Sequence, residues 1–142
     1  MVTIIKIDKV DGKGWVFEIN EAFNDVHGFD IFDCILVKET DCGNYENLFL
    51  FMNTYQVNTF IGLLLERNMS CHSKVDFTNE MVNIINSNKV AEFKSTFNGM
   101  DDFDDIIDVF TLNNIDKDMV LDKISSLGST ALTENDYVIL RA

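Results

Sequence analysis

The stretch that decides the fold is LFLFMNTYQVNTFIGLLLER, residues 48–67. Its first five residues, 48–52, are an unbroken apolar run that predicts a short strand. From Asn53 onward the apolar residues recur about every 3.6 positions, which predicts an amphipathic helix capped by Asn53 with Gln56 at the third helical position. We expect this helix to lie across a sheet. Its predicted inward stripe consists of Val57, Phe60, Ile61, Leu64 and Leu65.

The residues before this stretch predict further strands. Residues 2–10 are rich in Val, Ile and Thr, the turn sequence DGKG follows at 11–14, and the apolar residues of 15–19 alternate. This pattern predicts an N-terminal hairpin. Residues 29–39 form another β-run with apolar side chains on both faces, which indicates a strand that is covered on two sides. Because sequential strands usually pair, we expect a four-stranded antiparallel meander within residues 1–52.

The residues after the first helix predict a loop and then more helices. Strands followed by helices are typical of an α+β fold rather than of alternating βαβ units. The sequence therefore predicts a single α+β domain, residues 1–142, in which 1–52 are mainly strands and 53–142 mainly helices. In this fold the N-terminal four-stranded antiparallel meander is covered by a C-terminal helical layer. The predicted segments are a loop at 68–73, a helix from Asp76 or Thr78 to a break at 86–88, a helix at 90–97, a helix at 101–112, and two short closing helices.

The acidic composition restricts the classes of partner. Eleven Lys and Arg oppose twenty-four Asp and Glu, which gives a formal net charge of −13. The arginines, Arg67 and Arg141, and the scattered lysines form no cationic cluster, so direct binding to nucleic acid or to an anionic membrane is disfavoured. The charge favours a basic protein partner. The alternative that it serves only solubility stays open.

The cysteines and the N-terminus indicate a cytoplasmic protein. The first residues, MVTIIK, lack the basic region and long apolar run of a signal peptide, and the longest apolar stretch, 60–65, is much shorter than a bilayer span. Cys34, Cys42 and Cys71 are odd in number and irregularly spaced, which is typical of reduced thiols.

The segment 101–110 is the sharpest candidate for a binding surface. On a helix, the apolar residues of this segment share one face and four carboxylates share the opposite face. This acidic face is a candidate surface for a basic partner, although it also fits a solvated face whose first-turn aspartates favour the helix dipole. A calcium loop is excluded because Ile106 and Ile107 stand where an oxygen ligand and a glycine are required. The candidate partner-binding aspartates are Asp101, Asp104, Asp105 and Asp108.

Phe93 and Phe97 lie beside this acidic segment, just before the Asn98-Gly99 turn. An aromatic anchor within a charged rim is common at protein interfaces, so both residues are candidate partner-binding residues. The alternative is that these rings pack the helical layer of the core.

The residue types that perform catalysis or bind metals form no motif. Cys71-His72, Cys34, Cys42 and His27 lack the ligand spacing of a zinc site, and adjacent Cys and His residues rarely face each other as a catalytic pair. No P-loop, GxGxxG, GxSxG or HExxH sequence is found. The sequence therefore predicts no catalytic residue, no metal ligand and no cofactor.

The C-terminal residues predict a helical hairpin. Gly128 is placed to end one helix, and Thr133 with Asp136 forms a capping box that opens the next. The spacing LDKIS..G...LT..D...L, residues 121–140, resembles the short helical hairpin at the cytoplasmic C-terminus of some bacterial rhomboid-family membrane proteins. The resemblance covers about a seventh of the chain and includes no catalytic residue of that family, so protease activity does not transfer. It implies a bacterial origin and a small docking hairpin.

Three classes of function fit these observations. The favoured class is a non-enzymatic acidic protein-binding or regulatory module that neutralises a basic partner, as an immunity protein, an antitoxin or an inhibitor does. The second is a structural or assembly module that docks through its C-terminal hairpin. The third is a small ligand-binding protein or enzyme with a pocket between the sheet and the helices.

Overall fold

The computed structural model describes residues 3–10, 15–39, 45–67, 69, 71–97 and 102–142. The strands are β1 (Ile4–Val10), β2 (Ile35–Glu39), β3 (Tyr45–Phe51) and β4 (Cys71–Asp76). The helices are α1 (Trp15–His27), α2 (Thr54–Glu66), α3 (Thr78–Asn86), α4 (Val90–Lys94), α5 (Phe103–Asn114), α6 (Lys117–Leu127) and α7 (Glu134–Arg141), and 3₁₀ turns lie at Ile31–Asp33 and Ser129–Ala131. The fold class is therefore α+β, as the sequence predicts.

The strands form one antiparallel sheet with the order β2-β3-β1-β4. Strand β1 is internal, and its Ile7 stands opposite Leu48 of β3 on one side and Lys74 of β4 on the other. Strands β2 and β3 pair along their lengths, with Leu36 opposite Phe49. The four-stranded antiparallel sheet is confirmed, but its order is not a sequential N-terminal meander, because β4 follows α2 and joins the free side of β1.

Helices cover both faces of the sheet. Successive side chains of a strand point to opposite faces. Leu48 and Leu50 of β3 therefore belong to a buried cluster with α1 and α2, whereas Phe49 and Phe51 belong to a second cluster with helices from α3 to α7. The predicted C-terminal layer thus covers one face, and α1 with α2 forms a layer on the other.

The predicted strand at 15–19 is wrong, because these residues begin α1. Ile19 and Phe23, four residues apart, are fully buried on the sheet-facing side of this helix. Five alternating residues are too few to distinguish a strand from a helix. The β-run at 29–39 also divides into the Ile31–Asp33 turn and β2, and the Ile31 backbone N–H donates to Asn20 Oδ1 of α1 at 2.8 Å.

The predicted loop at 68–73 is wrong in its second half, because β4 begins at Cys71. The sequence CHSKVD has no run of apolar residues, since β4 is an edge strand whose Lys74, Val75 and Asp76 side chains are exposed. The division into strands before residue 53 and helices after it therefore fails in two places, at α1 and at β4.

The predicted helix ends are largely confirmed. The Asn53 side chain accepts from the Gln56 backbone N–H, and the Gln56 side chain accepts from the Asn53 backbone N–H, which is the predicted capping box. Thr133 and Asp136 form a second capping box at α7, and Gly128 ends α6 with a φ of +84°. Within the α2 stripe, however, Leu65 is 64% exposed and lies outside the core.

Candidate functional site: an acidic cleft beside helix α5

Helix α5 is held to the sheet by its apolar face. Phe103, Ile106 and Phe110 are buried in the cluster that includes Phe51 of β3. Because these residues fix the rotation of the helix, the aspartates of the opposite face point away from the core and are exposed. The predicted amphipathic division of α5 is thus present. Asp101 lies outside the described residues.

Two of the predicted partner-binding aspartates are bonded to neighbouring helices. The Lys94 ammonium donates to both oxygens of Asp104, with Nζ–O distances of 3.0 and 2.9 Å. Asn135 Nδ2 of α7 donates to Asp108 Oδ1 at 2.7 Å. These contacts tie α5 to α4 and to α7, so Asp104 and Asp108 are the less available part of the acidic face.

The aspartates on the other flank of α5 surround a cleft. Asp105 and the N-cap residue Asp102 line this cleft from α5, and Asp33 lines it from the turn before β2. The cleft measures about 240 Å³, and the buried side chains of Phe51, Ile106 and Phe110 form its floor. Cys34 and Val109 complete its lining. We call this feature the acidic cleft.

The three carboxylates of the acidic cleft have no cationic partner among the described residues. The ion pairs found there involve Asp8, Asp104 and Asp136 instead. Asp33, Asp102 and Asp105 are all exposed, so water solvates them in the free protein. Three such charges around an apolar floor create a negative potential that favours a cation.

Cys34 is not a reactive thiol in this environment. Burial, with a smaller contribution from the charge of Asp33, raises the pKa of Cys34 to about 12. The thiol therefore stays protonated at neutral pH, and its Sγ donates a hydrogen bond to the Ile31 carbonyl oxygen at 3.3 Å. Nucleophilic attack requires the thiolate, so Cys34 is a poor nucleophile in this state.

The structure places the candidate anchor residues, Phe93 and Phe97, among the aromatic rings of the helical layer. Phe97 is buried, and its ring packs against Phe49, Phe93 and Phe103 at centroid distances between 5.1 and 5.7 Å. Phe93 is half-buried and also contacts the Phe77 ring. Edge-to-face packing of this kind stabilises the helical layer. A ring such as that of Phe97, held in the core, is not available to a partner.

The candidate metal ligands are not brought together among the described residues. No group of three His, Cys, Asp or Glu side chains in this part of the chain could hold a metal ion. His27 Nε2 is instead 3.0 Å from Thr59 Oγ1 of α2, and its ring packs on Phe23 and Tyr55. The side chains of Cys71 and His72 lie outside the described residues.

A second cavity, of about 460 Å³, lies where α3, α4 and α5 meet the α6–α7 connection. Two of its polar side chains are bonded within the protein. Asn88 Nδ2 donates to the Ala131 carbonyl oxygen at 2.8 Å, and Thr111 Oγ1 donates to the Ile107 carbonyl oxygen at 2.8 Å. Its lining includes one carboxylate, Asp108, which accepts from Asn135, so this cavity lacks the cluster of three carboxylates that lines the acidic cleft.

Sequence reasoning misses Asp33, which joins the acidic cleft from a turn 69 residues before Asp102. Only the packing of α5 beside β2 and β3 brings these residues together, and periodicity within one element cannot show this.

Among the described residues, none of the helices combines the length and the apolar character that crossing a membrane requires. Comparisons with protein-family models, curated proteins and solved structures found no match.

Proposed function

We propose that this chain is a non-enzymatic acidic protein-binding module that neutralises a basic partner, in the manner of an immunity protein, an antitoxin or an inhibitor. The observation that carries the proposal is the acidic cleft. Asp33, Asp102 and Asp105 surround an apolar floor, and no cation of the described residues balances them.

The acidic cleft matches the chemistry of an arginine or lysine side chain. Such a side chain has an apolar stem that can pack on Phe51 and Phe110, and a cationic head that can reach the carboxylate of Asp105. Because the floor excludes water when it is covered, the ion pairs formed at the rim become stronger than they are in bulk solvent.

The surface next to the acidic cleft extends the binding face. Val109 and Leu112 lie one and two helical turns after Asp105 on the outer face of α5, and they are 57% and 47% exposed. A basic segment that also carries apolar side chains would cover both residues. Apolar contacts surrounded by charged groups are the usual arrangement of a binding hot spot.

The net charge of −13 adds long-range attraction to this local fit. A strongly negative surface accelerates encounter with a basic protein, and this acceleration falls as salt screens the charges. We therefore expect association to be fast at low ionic strength and to slow steeply as salt is added. Contacts on the apolar floor should be less sensitive to salt.

The test compares two variants of equal charge. The cleft variant carries Asp33→Asn, Asp102→Asn and Asp105→Asn. The control variant carries Glu21→Gln, Asp25→Asn and Glu66→Gln, which lie exposed on α1 and α2 across the sheet. Both variants lose three negative charges, so a difference between them reports position and not total charge.

Each immobilised protein is exposed to extract of the native host at low salt, and retained basic proteins are identified by mass spectrometry. Binding constants are then measured with the purified candidate. We expect wild type and the control variant to bind it, and the cleft variant to bind at least tenfold more weakly, which corresponds to about 1.4 kcal/mol. Equal binding by both variants would exclude the acidic cleft from the interface, and unfolding curves would verify that each variant is folded.

A further inference from the structure

Strand β4 is an edge strand of the described sheet. Its Lys74, Val75 and Asp76 side chains are consecutively exposed, and Val75 is 52% exposed. The opposite edge, β2, differs, because its Ile35 and Leu36 side chains are completely buried by the helices on the two faces. Of the two edge strands of the described sheet, β4 is therefore the one whose consecutive side chains are accessible to another strand.

The backbone of β4 shows which residues offer hydrogen bonds at this edge. The Phe77 backbone N–H donates to the Ile4 carbonyl oxygen at 2.8 Å, so Phe77 directs its backbone toward β1. Along an antiparallel strand the direction alternates from one residue to the next. The backbone N–H and C=O groups of Val75 and Ser73 therefore also point toward β1. Those of Lys74 and Asp76 point outward from the sheet.

We propose that two copies of this chain associate through β4, as antiparallel strands related by a twofold axis at Val75. In this register Lys74 of each copy stands opposite Asp76 of the other. The outward N–H and C=O groups of these residues form hydrogen-bonded pairs on either side of the axis. The two sheets then join into one continuous sheet in which β4 is no longer an edge.

The charges of β4 select this register. Lys74 and Asp76 lie on the same face, so the proposed pairing forms two attractive cross-strand pairs. A shift of the second copy by two residues would place Lys74 opposite Lys74, which is unfavourable. On the other face, Val75 meets its symmetry mate at a non-hydrogen-bonded position, where opposing side chains are closest.

In a closed twofold dimer the same surface of each copy must complement itself. Strand β4 meets this condition because Lys74, Val75 and Asp76 are positive, apolar and negative in sequence. The net charge of −13 on each copy opposes association over long distances. At physiological salt this repulsion is screened beyond about 8 Å, whereas the paired charges of β4 are in contact. The dimer should therefore be observable at physiological ionic strength.

The test uses charge reversal and its rescue. Lys74→Glu places an acidic residue opposite Asp76, and Asp76→Lys places a basic residue opposite Lys74. Each variant alone should self-associate about tenfold more weakly than wild type, because both symmetry-related pairs become repulsive. An equimolar mixture of the two variants should form a heterodimer, since each strand is again opposed by its complement. Sedimentation velocity from low micromolar to submillimolar concentration measures each association.

Control variants distinguish a loss of the dimer interface from a loss of folding and from a change in total charge. Lys89→Glu makes the same charge change at an exposed residue before α4 and should leave the dimer intact. Asp76→Lys also removes the acceptor of the Thr78 backbone N–H, so circular dichroism must show that it is folded. Lys74→Pro removes an outward N–H without removing a β1 hydrogen bond, and it should also weaken the dimer.

A wild-type mass that stays at the 16.2 kDa of one chain at all concentrations would overturn the proposal. A dimer that persists in Lys74→Glu would place the interface elsewhere and would also overturn it, as would failure of the mixed variants to associate. The cleft variant of the proposed function should dimerise like wild type. Loss of partner binding and loss of the dimer are therefore separate outcomes.

Discussion

Lys123 Nζ lies 2.7 Å from Asp136 Oδ2, and each of these side chains is only 1% exposed. The same Asp136 oxygen accepts the Thr133 backbone N–H at 2.9 Å, so it is both an ion-pair partner and part of the capping box of α7. This buried ion pair joins α6 to α7. Because the two charges are removed from water, each depends on the other to offset its desolvation.

Removing the positive partner should destabilise the fold strongly. We expect Lys123→Met to lower the free energy of unfolding by about 3–5 kcal/mol, since Asp136 remains buried without its cation. The matched control is Lys117→Met at the exposed start of the same helix, which should change stability by about 0.5 kcal/mol or less. Urea unfolding at neutral pH measures both. A similar small effect in the two variants would show that the buried pair contributes little.

Acid should weaken the same contact. Burial raises the pKa of Asp136, but the hydrogen bonds and charge of Lys123 and the Thr133 N–H lower it by more, so the net shift is downward. A lowered folded pKa stabilises the fold above the unfolded pKa, about 3.9, and this stabilisation is lost as the pH falls through the folded value. The stability difference between wild type and Asp136→Asn should therefore be constant near neutrality and shrink below about pH 4. Urea unfolding at successive pH values tests this, and a difference that persists unchanged in acid would contradict it.

Two adjacent leucines of α2 provide a matched test of the layer packed on the sheet. Leu64 is fully buried, whereas Leu65 is 64% exposed. Leu64→Ala should cost about 2–5 kcal/mol of stability because it leaves a cavity in the core. Leu65→Ala should cost less than about 1 kcal/mol, since little apolar surface leaves the interior. Equal losses in chemical denaturation would mean that the α2 face is assigned wrongly.

The parts of the fold that the sequence predicts are those with local signals. The Asn53–Gln56 capping box, the break after Asn86 and the Gly128 helix end each depend on a few neighbouring residues. The failures involve tertiary context. Helix α1 resembles a strand over five residues, and β4 has no apolar alternation because its exposed edge requires none.

The candidate site shows the same division. The acidic face of α5 follows from its periodicity. The sequence cannot show, however, that Lys94 donates hydrogen bonds to Asp104 and that Asn135 donates one to Asp108. Nor can it show that Asp33 and Asp105 line the same cleft, because this depends on how the helix is placed on the sheet. The resemblance of residues 121–140 to the rhomboid-family hairpin stays a prediction.

Cys34 offers a direct probe of the acidic cleft, because its thiol lines the cleft beside Asp33. The probe is read in a Cys42→Ser, Cys71→Ser background, which leaves Cys34 as the remaining thiol of the chain. With a pKa of about 12, about one Cys34 in ten thousand is a thiolate at pH 8, whereas a free cysteine is about a quarter ionised. Because a more basic thiolate is also more nucleophilic, the native protein should react with a disulfide reagent about 50- to 100-fold more slowly than the urea-unfolded chain. Asp33→Asn should accelerate the native reaction, because it removes a charge that raises the pKa of Cys34, whereas Asp25→Asn on α1 should leave the rate unchanged. Equal rates in the Asp33→Asn and Asp25→Asn proteins would show that the charge of the Asp33 carboxylate does not act on this thiol.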